Sequence, residues 1–516
     1  MSSCQEEEWN SPVPPDVSVG KPTEGLDNIS RLPDCILTSI LFLIPFKDSV
    51  RTSILSSHWR NLWKLTPLRL DDSKPASSLP GCPWDDSFSL NPYEWNKSPN
   101  LFPLTPNQLS FFGEYGEPPK SNPLDQPYNS RIARILSSTH DGPVHSLRLS
   151  GVKGFLFQHT VAHIVQTVIK RNICELTLDF RSKDIAYQYQ PTLCLFSCNS
   201  LQKLTLTNCM VPKPTPLSIS PDLKELNLMG CIRLDPDFLQ TVLNSCASLQ
   251  TMQLVSCEAS SGPCIISVRS HSLRKFVLSD IWCLRLKELI IEDAPNLENL
   301  MLGREMIYSC DVKILHARKL RVLGFISTGF KKLQLGRDYF VQQSTNSTTT
   351  IDWKMMPSGL TLSTVKKLGI AIVYIRNYGR TLARLLGCFP CIESLYICDP
   401  NKHTIQAVRG FWNEQGSFEF LDYYLKEVII KGFRGDKAEV EFLRFLVVNG
   451  KLLDKIILLD PHSTSTTIDS EEIQRKLCFH KRASKDLELV FSSETQCNDH
   501  VSLWKPLLDK EFISIP

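Results

Sequence analysis

The sequence predicts an α/β chain in three parts: a three-helix unit near the N-terminus, a solenoid of short repeats with a parallel sheet along its concave face, and an α/β cap at the C-terminal end. Three observations predict it. Asp27–Trp63 concentrates leucine, isoleucine and tryptophan at helical spacing. A Leu-x-x-Leu-x-Leu pattern then returns six times from Leu201 to Phe325, with starts 22, 26, 24, 24 and 23 residues apart. From Leu425 onward, alternating strand patterns are separated by helical ones. The parts divide as residues 26–66, 131–400 and 401–495, with a tail at 1–25, a proline-rich insert at 67–130 and a second tail at 496–516.

In the helical unit, Leu32, Ile36, Leu37, Ile40 and Leu41 recur three and four residues apart, which places them on one face. Pro33 suits a helix start, where its missing N–H costs nothing, and Asp34 suits the positive end of the helix dipole. Pro45 stops this helix. Asp48 or Ser49 is expected to cap a second one carrying Val50, Ile54 and Leu55. Trp59, Leu62 and Trp63 complete a third. About 37 residues are too few to bury so much apolar surface alone, so one face is expected to meet a partner.

The same stretch resembles the F-box as plant proteins write it. The likeness rests on Leu32-Pro33, on Lys47-Asp48-Ser49-Val50-Arg51-Thr52-Ser53, and on Leu55-Ser56-Ser57-His58-Trp59-Arg60-Asn61-Leu62-Trp63. Cys35 stands where an acidic residue is usual, and His58 where a basic one is. The resemblance implies docking to the Skp-type adaptor, and through it the cullin, of a cullin-RING ubiquitin ligase. By position, Leu32, Pro33, Ile36, Leu37, Ile40, Leu41, Val50, Leu55, Trp59, Leu62 and Trp63 would make that contact.

The six repeats begin at Leu201, Leu223, Leu249, Leu273, Leu297 and Leu320, a leucine-rich-repeat period. Strands at Ser146–Leu149, Glu175–Leu178, Val365–Ile370 and Ile392–Ile397 fit the same register. Alternation sends the leucines inward to a continuous core and their neighbours outward. Cys209, Cys231 and Cys257 fall where such repeats place a small residue inside the turn, so they are expected to be buried and structural. The outward neighbours include Arg148, Asp179, Lys203, Thr205, Glu225, Asn227, Met229, Gln253 and Lys275, with Val255 and Val277 beside them. Their mixed charge and small polar groups suit a protein or peptide better than a phosphate backbone, so they are the candidate target-binding face.

Toward the C-terminus the pattern predicts a strand at 425–431, a helix over 437–449 stopped by Asn449-Gly450, a strand at 455–459, a helix at 471–477 and a strand at 486–491. Cys388–Ile397 and Leu425–Leu458 resemble the FBD region of many plant F-box proteins. Physically, this region is expected to cap the open end of the solenoid. The insert carries eleven prolines between Pro75 and Pro127 and resists regular structure.

Composition narrows the function. Net charge is +3 over 516 residues with no basic stripe, so no nucleic acid is expected as partner. No apolar run approaches the roughly 18 residues of a membrane span, and the acidic Glu6–Glu8 start lacks a leader's apolar core. The 18 cysteines are therefore expected to be reduced thiols in the nucleus or cytoplasm. Cys388-x-x-Cys391 precedes a strand rather than opening a helix, which disfavours a redox role. No catalytic residue, cofactor or metal site is expected. The reading is a non-catalytic substrate-recognition subunit of an SCF-type ubiquitin ligase. Its rivals are a small-molecule co-receptor on the same scaffold and a non-degradative scaffold.

Overall fold

A strand that alternates apolar and polar residues buries one face only, so many such strands in register make a sheet with one oily side. The computed structural model describes residues 29, 31–44, 46–71, 132, 136, 142–152, 158–180, 195–211, 219–258, 264–279, 286–303, 310–327, 330, 332–336, 338–344, 351–356, 362–372, 378–398, 411–413, 416, 418–459 and 470–492. Both tails, and the insert beyond Asp71, lie outside the described residues.

The chain opens with helices α1 (Asp34–Leu43), α2 (Phe46–Arg51) and α3 (Trp59–Leu65), with a short 3-10 turn at Thr52–Ile54. Leu37, Leu41, Trp59 and Leu62 close a small core of their own, with Ile44 and Trp63 packed against it. Asp48 and Ser49 lie inside α2 rather than capping it, because the helix starts immediately after Pro45. His58 reaches back to Asp34, Nε2 to Oδ1 3.1 Å, and ties α3 to the start of α1.

The unit runs straight into the sheet. Strand Leu68–Asp71 follows α3 and pairs in parallel with Val144–Val152. It therefore belongs to the solenoid, although its position falls inside the expected insert at 67–130. The join is reinforced: the Gly142 N–H donates to the Lys64 carbonyl at 3.0 Å, the Arg69 guanidinium lies 3.9 Å from the Phe42 ring centroid, and His145 meets the same ring edge-on at 5.0 Å.

Among the described residues, fourteen strands form one sheet, running from Leu68–Asp71 to Glu488–Ser492. All of its neighbours are parallel. The repeat strands Lys203–Thr207, Glu225–Met229, Thr251–Val255, Lys275–Ser279, Asn299–Leu302 and Val322–Ser327 stand in repeat order. Their inward leucines merge into one core reaching from Leu68 to Leu487. The expected cap is a continuation: Glu427–Lys431, Lys455–Leu459 and Glu488–Ser492 extend the same sheet in parallel. Helix Lys437–Asn449 matches the predicted span. Its buried Glu439 carboxylate accepts the N–H groups of Arg434 and Gly435 at 3.0 and 2.9 Å, so the tight turn entering the helix has its donors satisfied.

A second sheet was not legible in the repeats. Cys264–Arg269, Leu286–Asp293, Asp311–Ile314 and Lys332–Leu335 run parallel to one another, and the antiparallel hairpin Asp338–Ser344 and Ile351–Met356 completes six strands. Ile266, Ile291, Ile314 and Leu335 join the core beneath the first sheet, so the two sheets form opposite walls here. Elsewhere helices face the core, as Gln158–Lys170 and Pro236–Ser245 do through Val165 and Phe238.

Three successive turns share one device. Asn208, Gly230 and Ser256 adopt left-handed backbone, φ 54, 57 and 53°, each just before a cysteine. Their N–H groups donate to Met229, Val255 and Ser279 of the next strand at 2.8–2.9 Å. The thiols of Cys231 and Cys257 then donate to the Leu206 and Leu228 carbonyls one repeat earlier, both at 3.4 Å. Cys209, Cys231 and Cys257 are fully buried, and burial pushes the Cys209 thiol up. Burial likewise raises Cys246 to about 12. No disulfide forms among the described cysteines.

Two outcomes follow from these turns. Gly230→Ala places a Cβ 2.2 Å from Asn208 Oδ1 on left-handed backbone. It should lower unfolding free energy by more than about 1 kcal/mol in urea titration. Alkylation of the native protein at pH 8, read by mass spectrometry, should modify exposed Cys35 and spare Cys209, Cys231, Cys246 and Cys257 until the chain is unfolded.

Candidate functional sites

Two surfaces carry the residues singled out by the sequence. The first is the outer side of the helical unit, where the structure divides the expected adaptor contacts in two. Leu37, Leu41, Trp59 and Leu62 form the unit's own core, between 0 and 6% exposed. These four side chains turn into the unit's own core, which three short helices need in order to hold together. Leu32, Pro33, Ile36, Ile40 and Leu55 are exposed, and Val50 and Trp63 are half-buried. Ile36 and Ile40 stand one turn apart on α1, with 45 and 38% of their surface open. Leu43 and Ile54, at 79 and 84%, were not assigned to this face. Leu43 extends the i, i+4, i+7 row Ile36, Ile40, Leu43, a periodicity that could have found it.

These six large aliphatic side chains, Leu32, Ile36, Ile40, Leu43, Ile54 and Leu55, give one small helical unit an exposed apolar surface of the kind that meets a partner. Burying each would contribute roughly 1.5–3 kcal/mol. Carboxylates are few beside them: Asp34 is paired with His58, and Asp48 with Arg51 at 3.1 Å.

The second surface is the face of the long sheet turned away from the core, the concave face in a leucine-rich-repeat solenoid. The register aligns its residues in rows. One row runs Glu175, Lys203, Glu225, Thr251, Lys275. The next runs Arg148, Thr177, Thr205, Asn227, Gln253, Val277. A third runs Asp179, Thr207, Met229, Val255. All nine expected target-face residues thus share one face, each half-buried.

The rows are internally wired. Lys203 Nζ lies 2.9 Å from Glu225 Oε2, and Asn227 Nδ2 donates to Thr205 Oγ1 at 3.2 Å. Asn227 Oδ1 is buried with no hydrogen-bond partner, so the centre of the face holds an acceptor that a bound donor would satisfy. The exposed Lys203–Glu225 pair contributes about 0–1 kcal/mol to stability, so both groups remain available to a partner at little cost.

Beyond Gln253 the face changes character. Val277, expected on the open surface, is fully buried, and so are Ala371, Tyr396, Ile429, Ile457 and Leu459 in strands that follow. The polar part of the face therefore occupies the strands nearest the helical unit.

A cleft of about 930 Å3 opens on the other wall, between Arg269, Glu292, Lys313, His316 and Arg318. The Ser267 hydroxyl and the Arg269 guanidinium hold the Glu292 carboxyl below the usual carboxylate range. Lys313 pairs with Glu288. These charges largely satisfy one another. Among the described residues no group of histidine, cysteine and carboxylate side chains could hold a metal ion, and no helix is long and apolar enough to cross a membrane.

Comparison with known proteins agrees with this division. The F-box domain family matches residues 29–71, which covers the three helices and the first strand. A family described as the leucine-rich repeats of the FBD-associated F-box protein At5g56370 matches residues 161–397. The chain is 23% identical to the F-box/FBD/LRR-repeat protein At5g56420 of Arabidopsis thaliana over 90% of its own length and 99% of that protein. It is 25% identical to the F-box/FBD/LRR-repeat protein At1g78750 over 85 and 91%, and 26% identical to F-box/LRR-repeat protein 13 over 85 and 90%, both from the same plant. The helical unit thus matches the F-box domain family, the solenoid matches a leucine-rich-repeat family, and the chain is similar over most of its length to F-box/FBD/LRR-repeat proteins.

Proposed function

We propose that the chain is the substrate-recognition subunit of an SCF-type cullin-RING ubiquitin ligase. The observation that carries the reading is the exposed aliphatic row Ile36, Ile40, Leu43 on α1, held out by a core that α1 and α3 close behind it. An F-box implies a Skp-type adaptor as its partner, and through it the cullin. The polar rows from Arg148 to Gln253 hold the target protein. Catalysis stays with other subunits, and this chain contributes proximity by raising the effective concentration of target lysines near the transferred ubiquitin. The setting is the nucleus or cytoplasm.

The continuity of α3 with strand Leu68–Asp71 supports this division of labour. A flexible join would let the target wander, whereas the Lys64–Gly142 hydrogen bond and the Phe42–Arg69 and Phe42–His145 contacts fix the docking unit against the sheet edge. The co-receptor alternative gains no support from the cleft, which opens on the wall opposite the polar rows.

A purified Skp-type adaptor should capture the intact chain. The double variant Ile36→Asp/Ile40→Asp should lose at least about tenfold in affinity with an unchanged circular dichroism spectrum, because both side chains are exposed. Leu37→Ala should instead unfold the helical unit, costing about 2–5 kcal/mol. Failure of the folded wild-type chain to bind the adaptor would sink the ligase reading. On the sheet, Thr205→Arg/Asn227→Arg should abolish co-purification of proteins that the wild type retains under proteasome inhibition, with adaptor capture intact. The same proteins retained by the variant would count against the polar rows as the target face.

A further inference from the structure

Because the long sheet is parallel, its strands all start at one rim. Four successive turns of that rim are described without a break, residues 269–275, 292–299, 315–322 and 362–367. They carry eight lysine and arginine side chains against three carboxylates, although the whole chain has a net charge of only +3. The three carboxylates are already engaged. Glu292 pairs with Arg269 at 2.6 Å, Glu298 with Arg274 at 3.5 Å, and Asp293 lies 3.6 Å from His271. Lys366 turns to Glu393 of the following turn at 3.2 Å. Lys319 reaches the uncharged amide of Asn296 at 2.8 Å. Lys275, Arg318, Arg321 and Lys367 have no ion-pair partner among the described residues. Five cations are thus left without a carboxylate, and all but the half-buried Lys275 are exposed.

The backbone fixes their spacing. The N–H groups of Arg321 and Val322 both donate to the Glu298 carbonyl, and those of Lys366 and Lys367 both donate to the Arg321 carbonyl, at 2.8 and 3.0 Å in each case. The Arg274 carbonyl serves Glu298 and Asn299 in the same way. Register then sets Lys275, Asn299, Val322 and Lys367 side by side on adjoining strands. Three strand spacings separate Lys275 from Lys367, roughly 14 Å. Like charges held this close repel one another, and opposite charge laid across them removes that cost.

We propose that this rim is a docking surface for an acidic segment of a protein partner. Within the reading above that partner is the target, but nothing here rests on the adaptor contact. The match is one of charge and length. An extended peptide rises about 3.3 Å per residue, so about five residues cover the row. The patch has ends as well. Gln250 is uncharged on one side, and beyond Lys367 the turns alternate in sign through Glu393, Lys426 and Glu427.

Lys275 also closes the outward row that holds Lys203 and Glu225, so the rim is continuous with the polar rows. A partner anchored by its acidic segment would lie over both. A nucleic acid fits less well. Its unbroken phosphate backbone would have to pass Glu298 and Glu393, and the four turns hold no Phe, Tyr or Trp on which bases could stack. A peptide can place its carboxylates only where the cations stand.

The test is fluorescence anisotropy of a fluorescein-labelled hexaglutamate peptide titrated with the full chain. The peptide should bind in about 50 mM salt and weaken at least about tenfold by about 300 mM, because salt screens exposed charges. Arg321→Glu/Lys367→Glu should weaken it at least about fivefold with an unchanged circular dichroism spectrum, since both side chains are exposed. Lys481→Glu/Lys485→Glu makes the same change of net charge at exposed positions elsewhere and should leave binding as it was. Absence of binding, equal weakening by both double variants, or tighter binding of labelled hexathymidylate than of the peptide would overturn the proposal. Adaptor capture draws on α1 and on none of these residues, so failure of the ligase reading would show there and failure of the rim here.

Discussion

Parallel register is the constraint on which this structure depends. Each strand of the long sheet is short, four to nine residues, and none could hold a face to the core alone. Stacked in step, Leu176, Leu204, Leu226 and Met252 stand beside one another beneath one face. A slip of one residue in any strand would turn its leucines to water and its charges into the core. The left-handed turns at Asn208, Gly230 and Ser256 and the thiol bonds of Cys231 and Cys257 hold that step at the ends of three successive strands. They explain a residue choice that composition alone makes look like chemistry: these cysteines are small, buried side chains whose thiols donate to carbonyls of the preceding repeat.

The same register arranges function. Because rows are fixed across strands, residues more than a hundred positions apart, Arg148 and Gln253, lie along one line. The helical unit enters this frame through strand Leu68–Asp71 and is not strung on a tether. A surface of exposed aliphatic side chains and a surface of hydroxyls and charges are thereby held at one end of the sheet. Aliphatic burial suits a constant partner bound in one way, and polar rows suit discrimination among targets, because an unpaired polar group in a wrong complex is costly.

Much of this was legible in the sequence. The helical periodicity of Leu32 to Leu41, the six-fold return of Leu-x-x-Leu-x-Leu and the helix at Lys437–Asn449 are local patterns, and local patterns survive without knowledge of neighbours. The second sheet escaped because its strands, such as Leu286–Asp293 and Asp311–Ile314, sit between the repeat strands, where a helix or loop is the common expectation. The expected cap turned out to continue the sheet, since its strands have the same alternation as the repeats but a longer and irregular spacing, which hides them from a search for fixed period.

Sequence by itself determined which residues are apolar, how they recur and therefore that a helical unit precedes a repeating sheet. It could not sort Leu37 from Ile36, or Val277 from Gln253. Neighbouring residues on one apolar helix differ in role only because α3 packs on one side and not the other. Outward residues on one sheet differ only because part of the face is covered and part is not. Burial is a property of what comes to lie against a side chain, and that is decided by segments far away in the chain, so only the tertiary structure separates core from docking surface and open face from sealed one.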